Sequence, residues 1–530
     1  MGVALGALGS LEPTSVCLDE AYEIFAGLVA RAARDGVDLR NVWASAQNNI
    51  GNTLLILGER ESATEKLEKS AKAYEAALSQ WTRESFPLDW AVLQDNLGRA
   101  LQMWGARVGR SELLTSSIAA HRRALEEWKQ DQVPMYWAQA QNNLGSALKA
   151  LGERQPGIEL LEEAANAYRM ALQERVFGHA SLAWGEAQNN LGAALTLIAD
   201  RSGDSGGLEE AVKALRESLR VRTRDAAPLA FASSQNNLGL ALVRLGEFRN
   251  DTRHVDEAIH CFRTALEVWT RQSFPSRWSV AQQNLGDALV TLARKSRRVD
   301  YLDQAAAAYT EALQERDIHG EPLLWASTQA AFGQVYSLKG EWESGTDSLD
   351  AAVKHYQDAL GPYRKEPGGF AQAGIEFNLG NALRLLGQRR NSSSLVSEAL
   401  DHHAAACRMC LPHSPYWALR AAEAADEDIK ILKAISGSAA IATVLANHGW
   451  ISTLWHKHTG HSIGLKAIFR VVVPGKSGTR KPDFSQAPKR GDRIQDGTAV
   501  LENAGKYSYC VQCSEFLLPP DQPRPVSPQD

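Results

Sequence analysis

The sequence predicts an all-α protein, an α-solenoid built from helix-turn-helix units. Two observations lead to this fold class. An aromatic residue recurs every 47 residues from Trp43 to Trp325, and the segment after each one carries apolar residues at helical spacing. Self-similarity at a fixed period is typical of repeat arrays, in which each unit buries its core against the next. We therefore expect eight complete units over residues 43–415.

The first helix of each unit begins with the same motif. Four residues after the aromatic residue comes a glutamine, except in the eighth unit, and in most units two polar residues, a leucine and a glycine follow. In the third unit the motif reads WAQAQNNLGSALKALGER, from Trp137 to Arg154. Pro134 is typical of a helix start, and Gly152 of a helix end. The aromatic positions are Trp43, Trp90, Trp137, Trp184, Phe231, Trp278 and Trp325, and Gln372 takes the eighth step.

A second helix follows in each unit. In the third unit it is expected from about Ile158 to Arg175, with an apolar face that includes Leu161, Ala164 and Tyr168. Residues 1–42 read as a partial first unit, with Met1 inside a helix that lacks its beginning. Residues 416–436 read as a capping helix without the motif. The helical period is lost over residues 437–530, which we expect to be irregular and partly disordered.

NNLGSAL in the third unit, with the series Ala164, Tyr168 and Ala171, resembles the tetratricopeptide repeat. The likeness is to long bacterial forms built on WAxxQNNLGxAL. Here the unit has 47 residues where the common form has 34, and the aromatic residue lies one turn earlier. The resemblance implies a right-handed superhelix whose first helices line a concave groove for a protein or peptide partner. It also places the first polar residue of each motif in that groove.

These groove positions form the candidate site. An amide both donates and accepts hydrogen bonds, so a ladder of amides could bind the backbone of an extended peptide. The alternative is structural, because the amides could instead bond from one unit to the next and fix the stacking. That alternative is favoured for the second asparagine, Asn143, and for the glutamine and aromatic series, while Gly145 is expected to permit close helix packing. The candidate residues are Asn48, Asp95, Asn142, Asn189, Asn236 and Gln283, with Arg99, Lys149 and Arg384 as charged positions.

Composition excludes several other functions. The net charge of −5 gives no argument for nucleic acid, and no run of eighteen apolar residues could span a membrane. Six cysteines in 530 residues favour a reducing cytoplasm over a disulfide framework. No catalytic motif is present, and no cofactor is expected. Cys510 and Cys513 lie in a segment of strand and turn character, and two ligands are a weak match to a zinc site.

The sequence therefore predicts a non-catalytic, cytoplasmic scaffold that binds a protein or peptide partner, with no nucleic acid, membrane or metal involved. The alternative is the sensor array of a signalling or defence enzyme whose catalytic domain lies upstream of Met1 or on another chain. The sequence does not identify the partner or the oligomeric state.

Overall fold

In a computed structural model of the chain, α-helices dominate. The structure describes residue 3 and residues 16–34, 40–60, 64–155, 157–173, 181–202, 205–318, 320–364, 369–410, 415–436, 501–504 and 507–510. Expectations for Met1, for most of residues 437–530 and for Cys513 fall outside these residues.

The described part of the chain holds eighteen α-helices. They are α1 Val16–Arg34, α2 Arg40–Arg60, α3 Thr64–Leu78, α4 Pro87–Val108, α5 Ser111–Glu127, α6 Pro134–Gly152, α7 Glu159–Gln173, α8 Leu182–Ser202, α9 Ser205–Leu219, α10 Pro228–Arg249, α11 Thr252–Leu266, α12 Pro275–Ser296, α13 Val299–Leu313, α14 Pro322–Trp342, α15 Asp347–Leu360, α16 Gly369–Arg390, α17 Ser393–Cys410 and α18 Pro415–Ser436. Even-numbered helices up to α16 are the first helices of the eight complete units. Helix α18 lies in the segment read as a cap.

The helix boundaries follow from local chemistry. Proline occupies the first turn of α4, α6, α12 and α14, where its missing N–H leaves no hydrogen bond unmade. Helix α4 ends at Gly109, which adopts a left-handed conformation with φ of 73°. The helical repeat of the sequence is therefore realised as an all-α helical-repeat solenoid.

The chain divides into two compact units. Unit 1 comprises residues 1–199 and 206–237, and unit 2 comprises residues 200–205 and 238–530. Within each unit, consecutive helices pack against one another. Two short strands, β1 Leu501–Ala504 and β2 Tyr507–Cys510, pair in antiparallel register, with Leu501 opposite Cys510.

A glycine of the first helix receives a large side chain of the second helix in every complete repeat. A Cβ added at Gly145 would lie 2.7 Å from Cε1 of Tyr168, and at Gly286 it would lie 2.3 Å from the same atom of Tyr309. Real Cβ atoms do not approach so closely, so this position requires glycine. The packing role predicted for Gly145 is confirmed. The eight pairs are Gly51–Tyr74, Gly98–His121, Gly145–Tyr168, Gly192–Leu215, Gly239–Phe262, Gly286–Tyr309, Gly333–Tyr356 and Gly380–His403.

The aromatic residue at the start of the motif packs as expected. Trp137 is buried in one cluster with Ala124 and Trp128, which belong to and follow the preceding second helix α5. Its indole thus joins one repeat to the one before it, where large aromatic area contributes most to packing.

Candidate partner-binding face

The first helix of each unit keeps one accessible face. On α6 this face consists of Met135, Gln139, Asn142, Ser146 and Lys149, which are exposed or partly buried. Their alternating spacing of four and three residues places them on one side of the helix. We call the equivalent surface of all first helices the first-helix face. It carries the candidate residues that the sequence singled out.

The asparagines on this face join consecutive repeats. In unit 1 the second asparagine of each motif donates its Nδ2 hydrogen to the side-chain oxygen of the first polar residue of the preceding motif. Each pair is 48 residues apart in sequence. The contacts are Asn96–Asn48 at 3.1 Å, Asn143–Asp95 at 3.0 and 3.2 Å, Asn190–Asn142 at 3.2 Å and Asn237–Asn189 at 3.0 Å.

Because of these bonds, the side chains at the candidate positions are already hydrogen-bonded within the protein, and three of them are buried. Asp95, Asn189 and Asn236 are buried, with 3, 6 and 7% of their surfaces exposed, whereas Asn48 and Asn142 are partly buried. The oxygen of Asn189 also accepts a hydrogen bond from Ser234. The contacts are those of the structural alternative, in which amides fix the stacking of repeats.

The charged candidate positions are more accessible. Arg99 and Lys149 are partly buried, and the Lys149 ammonium pairs with Glu153 at 2.7 Å. In unit 2, Arg384 donates to the Asn381 Oδ1 at 2.8 Å, and its Nε lies 3.9 Å from Asp428 on α18. These cations therefore lie on the first-helix face with their charge partly reachable from solvent.

Gln283 has a different environment in unit 2. Its amide donates to Ser327, and its oxygen accepts from Thr328 at 3.1 Å and from the guanidinium of Arg316. Arg316 is 4% exposed, and burial lowers the pKa of its guanidinium. In the next two repeats the equivalent residues are Ala330 and Phe377, so the series of amide contacts ends there.

Sequence reasoning missed two buried histidines. His121 and His403 occupy the position at which four other repeats have tyrosine, opposite the packing glycine. The Nδ1 of His121 lies 2.8 Å from Asp95 Oδ1, and that of His403 lies 2.5 Å from Asp428 Oδ2. The Nε2 of each ring has no hydrogen-bond partner. The repeat spacing could have identified this position, because both histidines lie a whole number of 47-residue steps from Tyr168.

A stack of rings also escaped prediction. His355 packs against both Phe332 and Tyr336, with ring centroids 4.9 and 5.3 Å away and planes nearly parallel. Its Nδ1 is 2.7 Å from the Gln329 side-chain oxygen. Burial lowers the pKa of His355, so the ring is neutral near pH 7. The position holds alanine or cysteine in the first six complete repeats, which gave no pattern to read.

An acidic side chain of unit 2 is electrostatically perturbed. Asp287 is exposed on the first-helix face, yet it accepts a hydrogen bond from the Tyr309 hydroxyl at 2.6 Å. The surrounding protein reduces the hydration of the carboxylate, and this raises the pKa of Asp287 to about 6. The hydrogen bond from Tyr309 opposes the rise. Because the carboxylate keeps solvent access, water screens part of the effect.

No group of three or more His, Cys, Asp or Glu side chains in the described ranges could hold a metal ion. Among the same residues, no helix is long and apolar enough to cross a membrane. Cys407 and Cys410 are buried in α17, and burial raises the pKa of Cys407 to about 12.

Comparison with known proteins agrees with the architecture. A family model described as "Tetratricopeptide repeat" matches residues 43–84 and 137–179, within the first and third complete units. The comparison with curated protein sequences found no match.

The solved structures that match include the following three. The apo form of RapI is 15% identical and covers 73% of this chain and 96% of its own, with a TM-score of 0.44. A Rap protein complexed with competence and sporulation factor is 13% identical and covers 73% and 99%, with a TM-score of 0.40. A tetratricopeptide repeat protein from Parabacteroides merdae is 16% identical and covers 63% and 98%, with a TM-score of 0.35. At these scores, the activities of those proteins are not transferred to this chain.

The fold defines the class as a helical-repeat protein, and its first helices keep one accessible face. The matched segments confirm the predicted resemblance: the chain carries tetratricopeptide repeats at residues 43–84 and 137–179.

Proposed function

We propose that this chain is a non-catalytic, cytoplasmic scaffold that binds a protein or peptide on its first-helix face. The observation that carries the proposal is the accessibility of this face in successive repeats, while the other sides of the first helices are buried. On α6, Met135, Gln139 and Ser146 reach solvent, whereas Leu144 and Leu148 are 7 and 0% exposed. A surface repeated in this way suits an elongated partner.

The candidate residues would have two roles in such a site. The amides, largely occupied by contacts between repeats, would form its floor and set its shape. The charged residues would give specificity, because rim charges influence partner choice more than affinity. The proposed floor is Asn48, Asp95, Asn142, Asn189, Asn236 and Gln283, and the proposed charges are Arg99, Lys149 and Arg384.

The test is an affinity capture that compares two double variants with the wild-type chain. Arg99→Ala with Lys149→Ala removes two cations from the first-helix face. Lys69→Ala with Lys72→Ala removes two from the second helix α3, where both lysines are exposed in ion pairs with glutamates. We expect the first variant to lose partners that the second retains, at unchanged helix content.

Equal capture by both double variants and by the wild-type chain would contradict binding at this face. Substituting Asn142, Asn189 and Asn236 together by Ala is a separate test of the floor. Because two of these amides are buried, we expect that variant to lose stability as well as binding.

A further inference from the structure

A row of exposed apolar side chains runs along unit 1 at one repeat position. Each is the first or second residue of a first helix, and each belongs to the first-helix face. Isolated exposed apolar residues are ordinary, but four at the same position of four consecutive repeats form a surface. They are Leu88, Met135, Leu182 and Leu229, with 54, 58, 49 and 40% of their surfaces exposed.

The spacing within this row follows from the way the repeats are joined. The first helices of neighbouring repeats are close enough for direct side-chain bonds, as between Asn190 and Asn142 at 3.2 Å. Helices in such contact have axes roughly 8–10 Å apart, so equivalent residues recur about every 10 Å along unit 1.

A partner helix reproduces this interval. Seven residues of an α-helix advance about 10.5 Å and return to nearly the same side. In a β-strand about three residues cover the distance, and side chains three apart point in opposite directions. A polyproline II segment would match the interval, but its backbone groups need hydrogen-bond partners. The amides beside the row are bonded to one another, as in Asn237–Asn189, whereas a helix satisfies its own backbone.

Charge near the row selects among helices. The exposed positions in the first two turns of α4, α6, α8 and α10 include two carboxylates, Asp89 and Glu186, and no lysine or arginine. A basic helix would complement this surface, and an acidic one would be repelled.

We propose that unit 1 docks a basic amphipathic α-helix of a partner protein, laid across the starts of its first helices with an apolar side chain at every seventh position. This inference rests on the proposed scaffold function and names the chemistry of the partner. The apolar row supplies the contact area, and the two carboxylates orient the cations of the helix.

The experiment uses the full chain and a fluorescent alanine–lysine peptide with leucine at every seventh position. Fluorescence anisotropy should report saturable binding. A peptide of the same composition with leucine at every fifth position, which spreads the leucines around the helix, should bind about tenfold more weakly or worse. The variant combining Leu88→Ser, Met135→Ser, Leu182→Ser and Leu229→Ser should lose affinity for the first peptide by about tenfold or more.

The control variant carries Val108→Ser and Met170→Ser. These residues are also exposed, at 39 and 40%, but lie outside the row. It should bind like the wild-type chain, and circular dichroism should show equal helix content for all variants. The proposal is overturned if the quadruple variant binds undiminished, if the fifth-position peptide binds equally, or if an extended proline-rich peptide with leucine at every third position binds better.

Failure of this proposal is distinguishable from failure of the scaffold function. If the heptad peptide does not bind, but Arg99→Ala with Lys149→Ala still loses captured partners, the helix proposal is wrong and the scaffold function stands. If no variant of the first-helix face changes either peptide binding or capture, both are wrong.

Discussion

The first-helix faces of the two units differ, although both units are built from the same repeat. In unit 1, asparagine pairs such as Asn190–Asn142 link each first helix to the preceding one at 3.0–3.2 Å. In unit 2, Gln283 is bonded instead to Arg316 and Thr328, and Ala330 replaces the amide in the following repeat. The side-chain bonds between repeats can therefore be exchanged without loss of the helical array.

The contact inside each repeat does not vary in the same way. Gly145 in unit 1 and Gly286 in unit 2 both receive a tyrosine ring at a distance that leaves no room for a Cβ. Close approach of two helices depends on a small residue at the crossing point, and no other residue type supplies it. The comparison teaches that the contact within a repeat determines the fold, while the contact between repeats adjusts stacking and leaves a surface for function.

The largest effect is expected at the buried pair of unit 1, where a carboxylate replaces the first asparagine. Asp95→Ala removes the partner of His121 and the acceptor of two bonds from Asn143. Breaking a buried pair on one side costs about 3 kcal/mol or more of unfolding free energy. Urea unfolding followed by circular dichroism measures it.

Asp95→Asn is the matched control for this pair. It introduces the residue found at this position in four of the eight repeats, and it keeps an oxygen that can accept from Asn143 and His121. We expect it to retain most of the stability that Asp95→Ala loses. If the two variants were equally destabilised, the negative charge of Asp95, rather than its hydrogen-bond acceptor oxygen, would account for the stability of this repeat.

The next effect tests the claim that the contact within a repeat is the same in both units. Gly145→Ala and Gly286→Ala each place a Cβ within 2.7 Å of a tyrosine ring. Overpacking of this kind costs about 1–3 kcal/mol of unfolding free energy. The loss should be similar for the two variants when measured by urea unfolding.

Two glycines provide controls in the same helical setting. A Cβ at Gly27 in α1 or at Gly374 in α16 would meet nothing within 4 Å. Alanine there should raise the unfolding free energy by up to about 1 kcal/mol through helix propensity. A loss at these positions equal to that at Gly145 would show that packing against tyrosine is not the cause.

A smaller effect is expected from the bonds between repeats. Asn190→Ala removes the bond donated to Asn142, whose side chain is partly buried and can turn to water, and a bond accepted from the neighbouring Asn189 at 3.3 Å. The expected cost is about 1 kcal/mol. Ala330→Asn in unit 2 adds an amide at the position that Asn142, the acceptor of this bond, holds in unit 1, and it should not stabilise by a comparable amount unless a partner lies opposite. If Asn190→Ala lowered the unfolding free energy as much as Gly145→Ala does, the distinction between contacts within a repeat and contacts between repeats would be wrong.

The sequence predicted the repeat and its packing glycine because both recur at a constant interval of 47 residues. The environments of individual candidate residues were not predictable in the same way. Asn189 and Asn142 have the same letters around them, yet only Asn189 also accepts from a serine, Ser234, which the next repeat supplies. The contact of His121 was not predictable from the sequence, since its partner Asp95 lies 26 residues away on another helix. Side-chain partners between helices depend on rotation and spacing that periodicity alone does not specify.

The smallest effect concerns a charge on the first-helix face of unit 2. The folded-state pKa of Asp287, about 6, lies above its ordinary value of 3.8. At a pH between these two values, the folded chain therefore holds a proton that the unfolded chain has released. Stability from this group is therefore greatest below about pH 4 and is lost as pH rises through 6. Arg244, Arg316 and Tyr309 oppose the shift, and the exposed carboxylate is screened by water.

Asp287→Asn should remove this dependence while leaving the Tyr309 hydroxyl an oxygen to bond. We expect the difference in unfolding free energy between variant and wild-type chains to change by less than about 1 kcal/mol between pH 4 and pH 7. The unfolding free energy of the variant should rise relative to that of the wild-type chain as pH rises, because only the wild-type chain then carries the poorly hydrated carboxylate. A difference that moves in the opposite direction would mean that the nearby arginines dominate, and that this face of unit 2 favours a negative charge at Asp287.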